Sequence, residues 1–248
     1  KRGAHIIAAG TKLVPLQSLQ AEVQALGVEC QIYSVDVAND NAMREFAEQV
    51  HSRISAVDVL INNAGIGYIG QFLHSDLAHW QSVLNINVMG VVHGCYHFLP
   101  KMLEAGGERQ VLNIASSASN FPTPSLAAYA TSKYAVNGFS EVLRMELADS
   151  QIGVTTVCPG VVNTPIVSTR DTVADSITDE QLQRIQAYYK AEGCIPDLVA
   201  EGMVKAVLSG QNLLLIGPYA KLVYHLKRLS HAMVRKAMLS SARKIGYL

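Results

Sequence analysis

The chain has 248 residues, and its 20 Lys and Arg balance 20 Asp and Glu, so the formal net charge is zero. Hydrophobic residues make up 49% of the chain and charged residues only 16%. This composition excludes an intrinsically disordered chain, and the balanced charge gives no global field that would attract nucleic acid. At this length we expect a single domain over residues 1–248.

Short runs of Val, Ile and Leu alternate with helical patterns along the chain. The apolar runs, typical of strands covered by helices on both faces, occupy residues 4–9, 28–35, 57–62, 110–115, 153–158 and 212–216. The helical patterns lie near 13–26, 40–53, 76–103, 128–149 and 196–209. This alternation predicts an α/β fold with a doubly wound, mostly parallel sheet and right-handed crossovers.

Cysteine usage and hydropathy indicate the compartment. The cysteines are scattered and form no Cys-x-x-Cys motif; they are Cys30, Cys95, Cys158 and Cys194. A reducing compartment suits this pattern better than a disulfide framework. No apolar run reaches the length of about 18 residues that would predict a membrane-spanning helix. We therefore expect a cytoplasmic protein, with peripheral contact at a membrane surface left open by the C-terminal segment.

A tyrosine and a lysine one helical turn apart, Tyr129 and Lys133, form the most informative pair in the sequence. Residues four apart on a helix share a face, so both side chains can point into the same pocket. A cation beside a phenol lowers the pKa of the phenol, which suits a group that exchanges protons at neutral pH. Taken alone, the spacing is better explained by a surface tyrosine beside a solvated lysine, so the pair depends on its context.

Four further segments supply that context, and they lie at 57–65, 85–90, 111–116 and 154–164. The first is an apolar run that ends in Asn-Asn-Ala-Gly, and the third is an apolar run that ends in a serine. In order, spacing and residue type, these segments and the Tyr129–Lys133 pair together resemble the short-chain dehydrogenase/reductase family over nearly the whole chain. The resemblance implies a Rossmann-like domain and NAD(P)-dependent interconversion of a carbonyl and a secondary alcohol.

The resemblance assigns the chemistry to four side chains. It implies that Tyr129 is the acid in carbonyl reduction, and that Lys133 lowers the pKa of Tyr129 and binds the nicotinamide ribose. Ser116, thirteen residues before the tyrosine, would hydrogen-bond the substrate oxygen, and the adjacent Ser117 is the competing candidate. Asn87 would hold a water in the proton relay; the alternative is a helix-interior asparagine that bonds a backbone carbonyl.

The resemblance also implies a set of cofactor-binding residues at the strand ends. Together with Lys133 they are Gly10, Thr11, Lys12, Asp36, Val37, Asn63, Ala64, Gly65, Pro159, Gly160 and Thr164. Asp36 would contact the adenine amino group, although an aspartate at a strand end is also a common turn former. The segment 10–12 lacks the acidic residue that would repel a 2′-phosphate, so NADP is favoured over NAD.

One family feature is absent from the sequence, namely the first strand with its Thr-Gly-x-x-x-Gly-x-Gly turn. Residues 3–10 resemble the family's second strand instead. The absent turn would supply the backbone N–H groups that cradle the dinucleotide pyrophosphate. A chain without this central strand would expose two strand edges, so we expect the natural protein to extend further at its N-terminus.

Two segments depart from the alternating pattern. Residues 165–195 fall where the family has its mobile substrate loop, with a plain surface insertion as the alternative. Residues 221–244, within a tail at 219–248, carry seven Lys and Arg and no acidic residue. The apolar residues of this tail recur at helical spacing; they are Leu222, Leu226, Leu229, Met233 and Ala237. We expect a helix that either packs over the substrate pocket or a neighbouring subunit, the slightly favoured alternative, or lies on an anionic membrane.

The substrate expected from these segments is apolar, such as a lipid, isoprenoid or steroid-like alcohol. The segments Phe121-Pro122-Thr123-Pro124 and Tyr188-Tyr189 offer no arginine fork for a carboxylate or phosphate, although Arg170 and Arg184 are near in sequence. The alternative function is a non-catalytic nucleotide sensor or scaffold of the same fold. Such relatives usually lack the tyrosine or the lysine, and both are present here.

The remaining expectations concern metal binding and assembly. His93 and His97 lie one turn apart, as metal ligands could, but no third ligand has a suggestive spacing, so a packed or interface pair is favoured. No metal is therefore expected. The helical patterns at 76–103 and 128–149 are apolar on more than one face, which predicts a homodimer or homotetramer.

Overall fold

The strands lie within about two residues of the predicted runs. The computed structural model describes residues 3–121, 123–167 and 170–248, without the side chain of Val167. Its strands are β1 (Ile6–Gly10), β2 (Cys30–Ser34), β3 (Val59–Asn62), β4 (Arg109–Ile114), β5 (Ile152–Pro159) and β6 (Leu213–Ile216). The fold is α/β, as predicted.

The helices also follow the predicted pattern. They are α1 (Leu13–Ala25), α2 (Asp40–His51), α3 (Leu77–Leu84), α4 (Gly90–Ala105), α5 (Ala127–Glu146), α6 (Asp179–Glu192), α7 (Pro196–Ser209), α8 (Ala220–Leu229) and α9 (His231–Ile245). The predicted helix over 76–103 is α3 and α4 joined through a π-helical turn, Asn85–Met89. The polar segment within 165–195 becomes α6, where Thr178 and Gln181 form a capping box at the N-terminus.

The strands form two parallel sheets. Strand β1 pairs with β2, and the larger sheet has the order β3-β4-β5-β6. In the part of the chain that the structure describes, β1 and β3 each have a strand partner on one side only. The edge of β3 is open enough to leave Val59 39% and Ile61 48% exposed. The expected pair of exposed strand edges is thus present, and it separates the strands into two sheets.

Helices α2 and α4 hold the two sheets together. Phe46 of α2 and Phe98 of α4 are buried with their ring centroids 5.4 Å apart. Ile7 of β1 and Leu60 of β3 both pack against the cluster that these rings form. Fully burying an aromatic side chain contributes about 1.5–3 kcal/mol, so this shared helical layer is a substantial link between the sheets.

The larger sheet is covered on both faces, which explains its continuous apolar strands. Val111 and Val154 are fully buried on the face covered by α4 and α5. Leu112 and Val157 are fully buried on the opposite face, against α7. Because neighbouring residues of a strand point to opposite faces, both layers fix the register and align the carboxyl ends of β3, β4 and β5.

The C-terminal segment forms two helices rather than the single helix expected over 221–244. The break is at Ser230, whose backbone is extended (φ −157°, ψ 107°) and whose side chain accepts a hydrogen bond from the Met233 N–H at 3.2 Å. Serine stabilises a helix N-terminus in this way, so it can start α9 where it would otherwise sit inside a longer helix. In the described ranges, no helix is long and apolar enough to cross a membrane.

Candidate active site

A cavity of about 1010 Å³ opens at the carboxyl ends of β3, β4 and β5. Asn63 and Gly65 follow β3, Ser116 follows β4, and Pro159 ends β5, and all four line this cavity. Ligands of open parallel sheets bind in the crevice outside the carboxyl ends of the strands. The sheet therefore directs these four predicted site residues into the same space.

Helix α5 adds the tyrosine and the lysine to this cavity. Tyr129 lies in its first turn, and its side chain is hydrogen-bonded to the side chain of Ser116. Lys133 is buried one turn later, with its Nζ 5.7 Å from the centroid of the Tyr129 ring. Ser117 also lines the cavity. The hydrogen bond to Tyr129 favours Ser116 over Ser117, in agreement with the spacing argument.

The pKa of Tyr129 shifts in the direction opposite to the one expected. Burial raises the pKa of Tyr129 to about 12, and the hydrogen bond from Ser116 offsets only part of that effect. Burial also lowers the pKa of Lys133 to about 8. The Lys133 ammonium donates a hydrogen bond to the Ile114 carbonyl at 2.8 Å. Burial of the phenol raises its pKa more than the Ser116 hydrogen bond lowers it, and the lowering expected from Lys133 stays a prediction.

Asn87 is fully buried in the π-helical turn and joins two parts of the site. Its Oδ1 accepts from the Ile66 N–H at 2.8 Å, and its Nδ2 donates to the Ile66 carbonyl at 2.9 Å. The same Nδ2 donates to Ser132 Oγ, the neighbour of Lys133, at 3.0 Å. Asn87 therefore fixes the segment after β3 against α5, and it does make the backbone contact considered as the alternative.

Two glycines of the cavity lining lie close to neighbouring groups of the protein. A Cβ at Gly65 would lie 3.2 Å from Asn87 Oδ1 and 3.5 Å from Lys133 Nζ. A Cβ at Gly160 would lie only 2.0 Å from the Pro218 carbonyl oxygen. Asn63 and Thr164 line the same wall. Asn63, Gly65, Gly160 and Thr164 bring small and polar groups to the lining that Lys133 shares, and such groups suit the nicotinamide half of a dinucleotide.

The other predicted cofactor residues lie outside this cavity, at the ends of β1 and β2. They are Gly10, Thr11, Lys12, Asp36 and Val37, and Ala64 is likewise absent from the cavity lining. Asp36 Oδ1 accepts from the Ala38 N–H at 2.9 Å, so it is at least a turn former. A Cβ at Gly90 would lie 2.7 Å from Val37, which places the end of β2 directly against the start of α4.

Each of the two histidines of α4 has a polar partner. His93 Nδ1 lies 2.8 Å from the Val37 carbonyl oxygen, and His97 Nε2 lies 2.8 Å from Asp40 Oδ1. The hydrogen bond to His97 is the main reason that the pKa of Asp40 is lowered. Over the described residues, no group of three or more His, Cys, Asp or Glu side chains could hold a metal ion.

One component of the cavity, Tyr247, was not expected from the sequence. Its hydroxyl donates to the Tyr189 hydroxyl at 3.3 Å, and its backbone carbonyl accepts from Ser125 Oγ. Ser125 has a left-handed backbone (φ 65°) just before α5. The C-terminal residues thus pack against the loop that leads to Tyr129, although no periodicity or motif marks them. Pro122, also singled out from the sequence, lies outside the described residues.

Comparison with known proteins places the chain in a family. A family model described as short chain dehydrogenase matches residues 1–174. The chain therefore belongs to the short-chain dehydrogenase/reductase family, as the sequence motifs indicated. The similar solved structures include a short-chain dehydrogenase/reductase from Burkholderia phymatum in complex with NAD, with a TM-score of 0.83 and 24% identity over 92% of this chain and 85% of that one.

Two mycobacterial relatives are also similar. "Probable oxidoreductase EphD" of Mycobacterium bovis is 34% identical over 98% of this chain, which spans only 41% of the length of that relative. SadH of Mycobacterium tuberculosis is 31% identical over 89% of this chain and 80% of its own length.

A metagenomic short-chain oxidoreductase in complex with NADP has a TM-score of 0.68 at 25% identity, covering 86% of each chain.

Proposed function

We propose that the chain interconverts a carbonyl and a secondary alcohol on an apolar substrate, with NADP or NAD as cofactor. The observation that carries the proposal is the placement of Ser116, Tyr129 and Lys133 in one cavity at the carboxyl ends of the strands. When bound, the nicotinamide supplies or accepts the hydride. Asn63, Gly65, Lys133, Pro159, Gly160 and Thr164 would hold its nicotinamide half.

The protein's own residues supply the binding and proton steps. Ser116 is hydrogen-bonded to Tyr129, so both hydroxyls can contact the same substrate oxygen. In reduction, Tyr129 donates its proton as negative charge develops on that oxygen, and in oxidation it accepts the proton. Lys133 and Asn87 are both buried, and Asn87 donates a hydrogen bond to Ser132, the neighbour of Lys133. These residues would form the polar path that adjoins Tyr129.

The lining of the cavity supports an apolar and uncharged substrate. Lys133 is the one charged side chain among the described residues that line it. Neither of the two arginines near these segments is part of the lining. Arg170 lies 3.9 Å from Asp179, and Arg184 lies 3.9 Å from Glu180. The apolar lining comes from several helices and loops and includes Ile69, Phe121, Leu126, Ile166, Met203, Leu226, Met238 and Ile245. A lipid, isoprenoid or steroid-like alcohol or ketone fits this surface.

A substrate panel tests the proposal. We expect oxidation or reduction of at least one lipophilic alcohol or ketone, followed as absorbance at 340 nm with each nicotinamide cofactor. Short hydroxy acids and phosphorylated alcohols serve as the matched polar controls and should be poor substrates. Binding of cofactor without turnover of any member of the panel would instead favour the non-catalytic scaffold.

Cofactor choice gives a separate prediction at Gly10. NADPH should bind more tightly than NADH, because the segment 10–12 has no acidic residue to repel a 2′-phosphate. A Cβ at Gly10 would meet only Leu16, at 4.0 Å, so an aspartate can be accommodated there. We expect Gly10→Asp to shift the ratio of the two dissociation constants towards NADH by about tenfold or more.

The control for that substitution is Gly10→Asn, which has nearly the same shape without the charge. Cofactor titration followed by fluorescence measures both variants. A wild-type chain that prefers NADH tenfold, or equal shifts in the two variants, would contradict the role proposed for this strand end.

Assembly is a further proposal, based on α4 and α5. Met89, Tyr96 and Leu103 recur every seven residues, and they are 41%, 72% and 47% exposed. On α5, Val142 and Met145 are 49% and 69% exposed. Apolar residues seven apart lie on the same helix face, so these side chains form an exposed stripe that a second copy would cover.

We therefore expect a homodimer at micromolar concentration. Tyr96→Glu should shift the molar mass by light scattering towards the monomer, because it places a charge in the centre of the stripe. Leu26→Glu, at a 55% exposed site at the end of α1, is the matched control and should leave the mass unchanged. A monomeric wild-type chain would refute the proposal.

A further inference from the structure

The outward sides of α8 and α9 carry an unusual concentration of cations. Residues 221–244 contain seven basic residues and no acidic one; the basic residues are Lys221, Lys227, Arg228, Arg235, Lys236, Arg243 and Lys244. The ion pairs among the described residues all lie outside this segment. Lys227 instead lies over the Tyr134 ring, 4.8 Å from its centroid, and Arg228 lies over Tyr224. The positive charge of the segment is therefore not neutralised within the protein.

Large apolar side chains are exposed beside these cations. Leu222 is 57% exposed, Leu229 is 82% exposed and Met233 is 67% exposed. Leu222 and Leu229 are seven residues apart and share one helix face, as do Lys221 and Arg228 on the adjacent face. We call the exposed residues Lys221, Leu222, Arg228, Leu229, Met233, Lys236, Leu239 and Arg243 the tail surface. A surface that combines cations and apolar side chains in this way is typical of helices that lie at a bilayer interface.

The inward sides of the same two helices form part of the cavity that holds Tyr129. Val223 and Leu226 of α8 line it, as do Met238 and Ile245 of α9. Leu222 lines the cavity while remaining more than half exposed, so it lies at the mouth. The tail surface therefore faces away from the cavity across α8 and α9, and Leu222 brings its edge to the cavity mouth.

We propose that the tail surface docks on an anionic lipid bilayer and that the apolar substrate enters the cavity from the bilayer beside Leu222. Charge complementarity selects this occupant: seven cations without an acidic residue match a surface of anionic headgroups, whereas a second copy would bring the same seven cations against them. The exposed leucines and Met233 would enter the boundary between headgroups and acyl chains. The route of entry depends on the proposed function, but bilayer binding does not.

Vesicle sedimentation tests the docking, using the full chain and vesicles of phosphatidylcholine with or without phosphatidylserine. We expect binding to the anionic vesicles and release at high salt. Each basic residue near an anionic surface strengthens binding by about fivefold, so Lys236→Glu with Arg243→Glu should weaken binding by about 30-fold or more. Leu229→Gln should weaken binding at all salt concentrations, because it removes apolar contact rather than charge.

The matched control is Lys205→Glu with Arg53→Glu, which makes the same change of charge at exposed positions on α7 and after α2. This control should retain the binding of the wild-type chain. The docking proposal is overturned if the wild-type chain does not bind anionic vesicles at low salt, or if the two double variants lose binding equally. A tail surface covered by a second copy would show itself as dissociation of an oligomer by Lys236→Glu with Arg243→Glu, and that result would also overturn it.

Turnover with two substrate presentations separates docking from chemistry. A short ketone dissolved in water should be reduced equally by the wild-type chain and the tail variants. A long-chain ketone embedded in anionic vesicles should be reduced more slowly by the tail variants, in proportion to their lost binding. Vesicle binding without any turnover would leave the docking proposal standing and refute the proposed reaction, whereas equal rates on the embedded ketone would refute entry from the bilayer.

Discussion

Replacing Tyr129 with phenylalanine should lower turnover by about 10²–10⁴-fold, the usual contribution of a positioned general acid or base. The fold should persist, because the volume of the ring is kept. The hydroxyl that is removed is neutral, since burial strongly disfavours its ionised form. Cofactor affinity should stay within a few-fold of the wild-type value, because the phenol is assigned to the proton transfer. Steady-state rates and cofactor titration measure both quantities.

Tyr189→Phe is the matched control for that substitution. Tyr189 lines the same cavity and loses only its hydrogen bond with the Tyr247 hydroxyl, at 3.3 Å. We expect its turnover to fall by less than about tenfold, since a single neutral hydrogen bond contributes about 0.5–1.5 kcal/mol. Comparable losses in the two variants would indicate a general disturbance of the cavity and remove Tyr129 from the mechanism.

Replacing Lys133 with methionine should lower turnover but raise the stability of the folded chain at neutral pH. Turnover and cofactor affinity should both fall, because the ammonium is placed between Tyr129 and the wall that would hold the nicotinamide. The folded chain, however, holds this cation at a cost, since burial lowers the pKa of Lys133 from 10.5 to about 8. That difference corresponds to about 3 kcal/mol of unfavourable free energy when the lysine is charged.

The pH dependence follows from the sign of this shift. Below pH 8 the lysine is protonated in both states, and the wild-type chain bears the full cost. Between pH 8 and 10.5 the folded state releases the proton first, so the wild type gains stability relative to the variant, and above that range the gain is complete. Urea unfolding at pH 7 and pH 10 should show a change of about 2–3 kcal/mol in the difference between the two chains.

Lys205→Met provides the control, because Lys205 is an exposed lysine on α7. Its stability difference from the wild type should not change between the two pH values. A Lys133 variant with unchanged cofactor affinity would contradict the ribose-binding role. A stability difference that stays constant with pH would contradict the direction of the Lys133 pKa.

The sequence alone was sufficient for the α/β class, the strand positions and the residues brought together in the cavity. This success has a physical basis, since apolar runs such as β4 and β5 must be buried on both faces, and parallel strands then align their carboxyl ends. Ser116 and Pro159 come directly from such ends, and helical spacing places Lys133 behind Tyr129. Local patterns therefore carried the information for these positions.

Other features could not be read from the sequence because they depend on contacts distant along the chain. The pKa of Tyr129 reflects the burial of the phenol by several elements, whereas the helical spacing showed only the nearby lysine. The helix break at Ser230 interrupts an amphipathic pattern that is otherwise continuous, so the pattern alone predicts a single helix. The contact of Tyr247 with Ser125 joins residues 122 positions apart, and no periodicity reports such a contact.

The close approach of Gly160 to the Pro218 carbonyl has a consequence for how specificity could evolve under the proposed function. That side of the cavity has no space for even one methyl group, so most substitutions there would disturb the strand ends together with the chemistry. Leu226 and Met238, which also line the cavity, belong to the C-terminal helices α8 and α9. Under the proposed function, substitutions in these helices could change the substrate while Ser116, Tyr129 and Lys133 stay unchanged, so specificity and reactivity could diverge independently.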